Sequence, residues 1–330
     1  MTTVVIANPR AAAGALARRW PRIERALHDA IGPFELLWTS GPGGGEACSV
    51  EALKRGADRV IAVGGDGTAS EVVAGFFDGE RLRSPGAAFG LLPLGTGGDL
   101  RRSLGIPSHV GSAARMLRNA VTCRIDVGRL TYVDHEGRQR HRIFVNIASF
   151  GISGLVDRLA AESGKQLGGK VAFLAATARA QLRYRAQRVR VSVDGGPAWE
   201  QEIHCVAVAN GRYFGGGMCI APGAEPDDGL FDIVTISRLS ALELLRHGPK
   251  VYRGRHIGLP QVSVARGVRV VAEPLPAEGD SDGAVLLDVD GEPLGRLPAE
   301  LVMMPQALRV LVPAASGHDD AVGSGGGSAP

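Results

Sequence analysis

Two glycine turns that follow apolar runs constrain this chain most: RVIAV leads into GGDGT at 64–68, and AAFGLLPL leads into GTGGD at 95–99. Short apolar runs bounded by turn residues read as buried strands. SEVVAGFF after the first turn and HVGSAARMLRNA beyond the second read as helices, the first expected to start near Ser70. TVVIANP, a helix within Arg10–Ala30 with Leu16, Trp20, Ile23 and Leu27 on one face, FELLWTS and a helix over Cys48–Arg55 extend the alternation. Strands alternating with helices imply a mostly parallel sheet whose strand ends share one crevice, where ligands bind.

From about Cys123 the pattern changes to strand-like stretches: RIDVGRLTYVD, HRIFVNIASFG, RVRVSVDG, HCVAVANG, FDIVTISR, VSVARGVRVVAE, AVLLDVDGE and LRVLVP. They predict an antiparallel β-sandwich with helical inserts at Val171–Arg185 and Ala241–Arg253. We therefore expect an α/β nucleotide-binding domain over 1–124 and a β-sandwich domain over 125–313, its last strand free to return to the first domain. A small, polar, turn-rich tail over 314–330 reads as disordered.

With 330 residues and 45% hydrophobic content, the chain can bury a sizeable core. A net charge of +3 is too small for dedicated nucleic-acid binding, so no nucleic-acid partner is expected. Cys48, Cys123, Cys205 and Cys219 form neither a CxxC pair nor a metal-ligand spacing and read as free thiols in a reducing cytoplasm. None of the eight histidines pairs with Ser or Cys in a nucleophile motif, which leaves covalent catalysis without support. MTTVVIANPR has no signal-peptide pattern, and VAFLAATA falls short of the ~20 apolar residues a membrane span needs.

Gly65–Ser70 comes within one residue of a dinucleotide fingerprint, but the strand that follows delivers a second glycine turn rather than a ribose-binding acid. No Gly-Lys-Ser or Gly-Lys-Thr occurs, which removes a Walker loop. The pair of turns suits a polyphosphate: glycine brings backbone N–H groups close, a helix N-terminus adds partial positive charge, and Thr68 and Thr96 donate hydrogen bonds. Asp66 would repel bare phosphate, but beside Mg²⁺, directly or through its water, the carboxylate becomes favourable. The plainer reading, that Gly and Asp only make tight turns, weakens when two such turns follow successive strands.

With IANPRAAAG, WTSGPGGGEA, GGDGTASE, PLGTGGDLRRSLGIP, VANGRYFGGGMCIAPGAEPDDGLFDIV, VDGEP and ALRVLVP in this order, the chain resembles the diacylglycerol kinase catalytic superfamily of lipid kinases. That resemblance implies ATP and Mg²⁺ in a cleft between the two domains. It also implies nucleotide contacts from Asn8, Pro9, Arg10, Thr39, Gly64, Gly65, Asp66, Gly67, Thr68, Glu71, Gly95, Thr96, Gly97 and Asp99. Asp228 in PDDGLFD matches the family's magnesium-site acid, with Asp66 as a second metal candidate; Asp290 and Glu292 match the catalytic acids, Glu292 as base. Read alone, VDGE is a hairpin turn, since Asp-Gly after LLDV is a strong hairpin signal. Three features depart from the family pattern. Ala11–Ala13 leave the first loop to backbone and Arg10, Gly98 replaces a customary Asn, and Ser153, Gly154 and Leu155 stand where an acid often sits, Asp157 being the nearest.

The resemblance implies γ-phosphate transfer to a lipid hydroxyl, first of all diacylglycerol to give phosphatidic acid. A ceramide or sphingoid kinase, a soluble NAD-kinase-like enzyme and a non-catalytic nucleotide-binding regulator stand as alternatives. Arg179, Arg183, Arg185, Arg188 and Arg190 form one basic patch, and Arg246, Lys250, Arg253 and Arg255 a second. Either can hold a cytoplasmic protein reversibly at the inner membrane face, and either can equally be a solvated surface. No stable protein partner is implied, and a homodimer stays open.

Overall fold

The computed structural model describes residues 1–12, 14–95, 97–162, 175–177, 179–181, 183–275 and 284–314. Strands Thr3–Ala7, Glu35–Trp38, Arg59–Gly64 and Ala88–Pro93 form a parallel sheet in the order 35–38, 3–7, 59–64, 88–93. Every residue of Thr3–Ala7 and Ala88–Pro93 is buried, as the apolar runs from Val4 and from Ala88 demand. Helices α1 (Ala15–Ile31), α2 (Gly44–Lys54), α3 (Asp66–Ala74), α4 (Asp99–Ser103) and α5 (Val110–Arg118) join and cover the strands, α1 packing on α5 and α2 on α3. Leu16, Trp20, Ile23 and Leu27, spaced four, three and four residues apart, form the buried stripe of α1.

The second half is antiparallel. Gln187–Val193, Trp199–Ala209, Phe231–Ser237, Val262–Gly267 and Arg269–Pro274 pair in one run, and Ile147–Gly151 joins Trp199–Ala209 to Leu286–Val289. Their core includes Phe144 stacked on Phe231 with ring centroids 5.7 Å apart. Full burial of each such ring stabilises the fold by about 2 kcal/mol. The last strand, Glu292–Val312, pairs antiparallel with Arg269–Pro274 and Val121–Val133 and then parallel with Ala88–Pro93. It therefore stitches the β-rich half to the parallel sheet.

Helix α3 begins at Asp66, not at Ser70 as the sequence suggested, because Gly65 takes an extended conformation and passes the chain straight from strand into helix. Asp66 thus sits in the first helical turn, where a carboxylate is favoured by the helix dipole. Helix α2 starts at Gly44, four residues before the expected Cys48. Helices α6 (Ile152–Glu162) and α7 (Ala241–Val251) belong to the second half, α7 stopping two residues short of the expected Arg253. Of the insert expected at Val171–Arg185, residues 175–177, 179–181 and 183 are helical and the others before 184 lie outside the described residues. Thr96 and the tail 315–330 also lie outside them.

Candidate active site

The two glycine turns touch. A Cβ on Gly95 would stand 3.0 Å from Gly65 Cα, and one on Gly97 would stand 2.6 Å from Asp66 Oδ2, so a side chain at either position would press on the other turn. Asp66 Oδ2 accepts the Gly98 N–H at 2.6 Å, and its Oδ1 accepts the Leu100 N–H at 3.1 Å. The carboxylate thus binds the first turn to the start of α4. The first N–H groups of a helix have no partners within it, and at α3 these belong to cavity-lining Asp66, Gly67 and Thr68.

Neighbouring loops are tied to the same frame. Asn8 donates from Nδ2 to Thr68 Oγ1 at 3.1 Å and accepts the Arg10 N–H at 2.9 Å. Glu71 accepts the Gly43 and Gly45 N–H groups at 2.9 and 2.8 Å, which closes the GPGGG turn over α3. Asp99 accepts from Arg102 Nη1 at 2.9 Å and from the Gly216 N–H at 2.7 Å, joining the second turn to the glycine loop of the β-rich half. Burial pushes the Asp99 carboxyl up to about 6; repulsion from Asp66 adds to this, while the Gly216 N–H and Arg102 oppose it.

Asp290 and Gly291 form the two-residue hairpin turn between Leu286–Val289 and Glu292–Val312, with φ of 52° and 85°. Both positive angles are what such a turn demands, so the hairpin reading of VDGE is correct, and the turn also carries the candidate acids. Asp290 is buried and accepts the Val145, Asn146 and Ile147 N–H groups, each at 3.0 Å. Glu292 reaches the first glycine turn: its Oε1 stands 3.5 Å from where a Gly67 Cβ would be, and its Oε2 accepts from Arg142 Nη2 at 3.1 Å. Burial raises the Glu292 carboxyl above its usual range, Arg142 opposes this, and Glu71, Asp290 and Glu46 add to it.

One cavity of about 2280 Å³ gathers Asn8, Arg10, Thr39, Gly65, Asp66, Gly67, Thr68, Glu71, Gly95, Gly97, Asp99, Asp290 and Glu292. Pro9 and Gly64 do not line it, Gly64 packing on Thr68 instead. Asp228 does not line it either: its carboxylate pairs with Arg266 and accepts the Leu230 N–H at 3.0 Å. Among the described residues no three His, Cys, Asp or Glu side chains gather closely enough to hold a metal ion.

From the turns the cavity runs on into the β-rich half, past Ile152, Val156, Phe214, Met218, Ile220, Leu244 and Val251. This arm holds two acids, Asp157 and Asp288, hydrogen-bonded to each other. Asp288 also accepts the Gly291 N–H at 2.9 Å and lies 3.2 Å from Ser149 Oγ, whereas Asp157 Oδ2 is shut off from solvent with no partner. Burial pushes both carboxyls up, Asp288 far above its usual range with repulsion from Asp157 adding to it. His204 in the same arm is held down to about 4 by burial and is neutral at pH 7. Sequence reasoning missed Asp288, Arg142 and the Gly216 loop; the extra Asp in LLDVDGE was a usable signal for the first.

Residues 2–130 match the model of the diacylglycerol kinase catalytic domain, and residues 146–312 match the YegS C-terminal NAD kinase beta sandwich-like domain. The chain belongs to the diacylglycerol kinase family of lipid kinases. A diacylglycerol kinase of Mycobacterium tuberculosis is 29% identical over 93% of this chain and 94% of its own. A probable YegS-like lipid kinase of Xanthomonas euvesicatoria is 30% identical over 80% of this chain and 81% of its own. The crystal structure of a putative diacylglycerol kinase from Bacillus anthracis shares the fold, with a TM-score of 0.72 at 24% identity over 95% of this chain and 98% of its own. Membership makes this protein an ATP-using phosphotransferase with an alcohol acceptor, built from an α/β half and a β-sandwich-like half.

Proposed function

We propose that the protein transfers the γ-phosphate of Mg·ATP to the free hydroxyl of diacylglycerol, giving phosphatidic acid and ADP. The observation that carries this reading is the continuity of one cavity from the glycine turns to an arm lined by apolar side chains, which suits acyl chains. ATP lies with its phosphates at the N-terminus of α3 and between the turns. Mg²⁺ bound with ATP would neutralise charge on the phosphates, and Asp66 and Asp99 are the cavity-lining carboxylates at the turns that would hold it, directly or through water. Glu292 accepts the proton as the lipid oxygen bonds to the γ-phosphorus and the bond to the bridging oxygen of ADP breaks. Its raised pKa strengthens it as a base, and Arg142 keeps it oriented.

A second reading, a ceramide or sphingoid-base kinase, is favoured by the carboxyls of Asp157 and Asp288 in the lipid arm, which suit an acceptor bearing an extra hydrogen-bond donor. A soluble substrate would leave the apolar arm without use. Incubating the protein with Mg·ATP and diacylglycerol, ceramide, sphingosine or NAD separately, and resolving the products by chromatography, decides among these. Label in phosphatidic acid supports the proposal; label only in a sphingolipid or in NADP overturns it.

A further inference from the structure

We infer that α7 and the turn after it dock this enzyme on an anionic lipid surface, with the mouth of the lipid arm held against the bilayer. The inference rests on the lipid-kinase reading and adds the surface on which that site works.

Helix α7 has two faces. Ser240, Glu243, Leu244, His247 and Val251, at helical spacing, line the cavity. Leu242, Arg246 and Pro249, at the alternate spacing, face outward and are exposed, and Arg253 continues them in the next turn. Leu242 is 74% exposed, the most exposed large apolar residue after Met1 among the described residues. Tyr252 lines the cavity and is half exposed, so it marks the rim. A helix that walls the lipid arm on one side thus presents an apolar side chain among cations on the other.

The charge is concentrated here. Residues 238–268 carry six basic side chains against one acid, Glu243, a net of +5 in a chain whose total is +3. Glu243 is itself committed to the helix start, where it accepts from the Ser240 N–H and hydroxyl. Arg238 pairs with Glu202, and Arg266 with Asp228 and Asp232, whereas Arg246, Lys250, Arg253 and Arg255 have no carboxylate partner among the described residues. Four unpaired cations around a protruding leucine complement an anionic bilayer: the cations supply attraction within a Debye length, and the leucine enters the acyl boundary. No helix among the described residues is long and apolar enough to cross a membrane, so this attachment is peripheral.

The test is co-sedimentation of the whole protein with phosphatidylcholine vesicles and with vesicles containing phosphatidylglycerol, for wild type, Leu242→Asp and Arg246→Glu/Arg253→Glu. None of these side chains lines the cavity. Wild type should bind the anionic vesicles and release them in high salt. Each variant should bind at least about tenfold more weakly, while phosphorylation of a short-chain, dispersed diacylglycerol stays at the wild-type rate. Equal binding to both vesicles, or variants that bind as wild type does, overturns the inference. So does a wild-type dimer, indifferent to vesicles, that Leu242→Asp splits, since the face would then belong to a second copy of the chain. Failure to phosphorylate any lipid would sink the activity reading alone, because vesicle binding is measured without ATP.

Discussion

Asp66 and Gly98, 32 residues apart in sequence, are joined by a 2.6 Å hydrogen bond from the Gly98 N–H to the Asp66 carboxylate. The acid in the first glycine turn is therefore a clasp on the second. Asp66→Asn keeps one acceptor oxygen but turns an amide N–H toward the other donor. The loss of charge-assisted bonds should cost about 2–4 kcal/mol of stability, and misplacement of the second turn should lower kcat/KM for ATP about 100-fold. Denaturant titration and kinetics with varied ATP measure the two effects; wild-type values in both would show that the turns hold together without it.

Glu292 and Asp290 are two residues apart yet should behave oppositely. Glu292→Gln removes a proton acceptor that faces Gly67, so kcat should fall by about 10²–10⁴-fold, with ATP affinity and unfolding midpoint close to wild type. Asp290→Ala strands three buried N–H groups and should destabilise by at least about 3 kcal/mol. Calorimetric titration with ATP and urea unfolding separate the two. A fully active Glu292→Gln enzyme would remove Glu292 from the base role.

Much of this was legible in the chain because the signals are local. The strands at 59–64 and 88–93 are apolar from Val60 and from Ala88 and run into glycine turns, and the stripe of α1 follows helical spacing, so each declares its own partner face. The start of α3 was not legible, since GDGT carries two glycines that favour a loop until the strand end before it fixes the chain direction. Contacts made only by folding were hidden altogether. Asp99 meets Gly216 across 117 residues, and Asp288 finds Asp157 on a helix that sequence reading placed only as the nearest acid.

Asp99 should make stability depend on pH. Its carboxyl titrates near 6 in the folded protein, above its ordinary value of 3.8, so the native state holds the extra proton between these values. Stability from this group therefore falls as pH rises from about 4 to about 6 and levels off above. Asp99→Asn cannot titrate, so the difference between the two proteins' unfolding free energies should change over that window and be flat at pH 7 to 8. Urea unfolding at a series of pH values reads this; a constant difference from pH 4 to 8 would show that Asp99 is ionised throughout.

The Asp157–Asp288 pair should govern the lipid and leave the nucleotide alone. Both acids line the arm beyond the glycine turns, and burial together with repulsion from Asp157 pushes the Asp288 carboxyl far above its ordinary range. Asp157→Asn preserves shape and a hydrogen bond to Asp288 but replaces an acidic carboxyl in the wall of the lipid arm with an amide. Because Asp157 takes no part in the hydrogen bonds that hold the two turns, KM for ATP should stay within about twofold, while kcat/KM for the lipid falls by about tenfold, the scale of one lost hydrogen bond. Asp288→Asn removes a carboxyl whose burial disfavours folding above its ordinary titration range, and should raise the unfolding midpoint at pH 7 with the same shift in lipid kinetics. Kinetics with each substrate varied in turn check this: a change in KM for ATP alone would move the pair's role from the acceptor arm to the phosphate end.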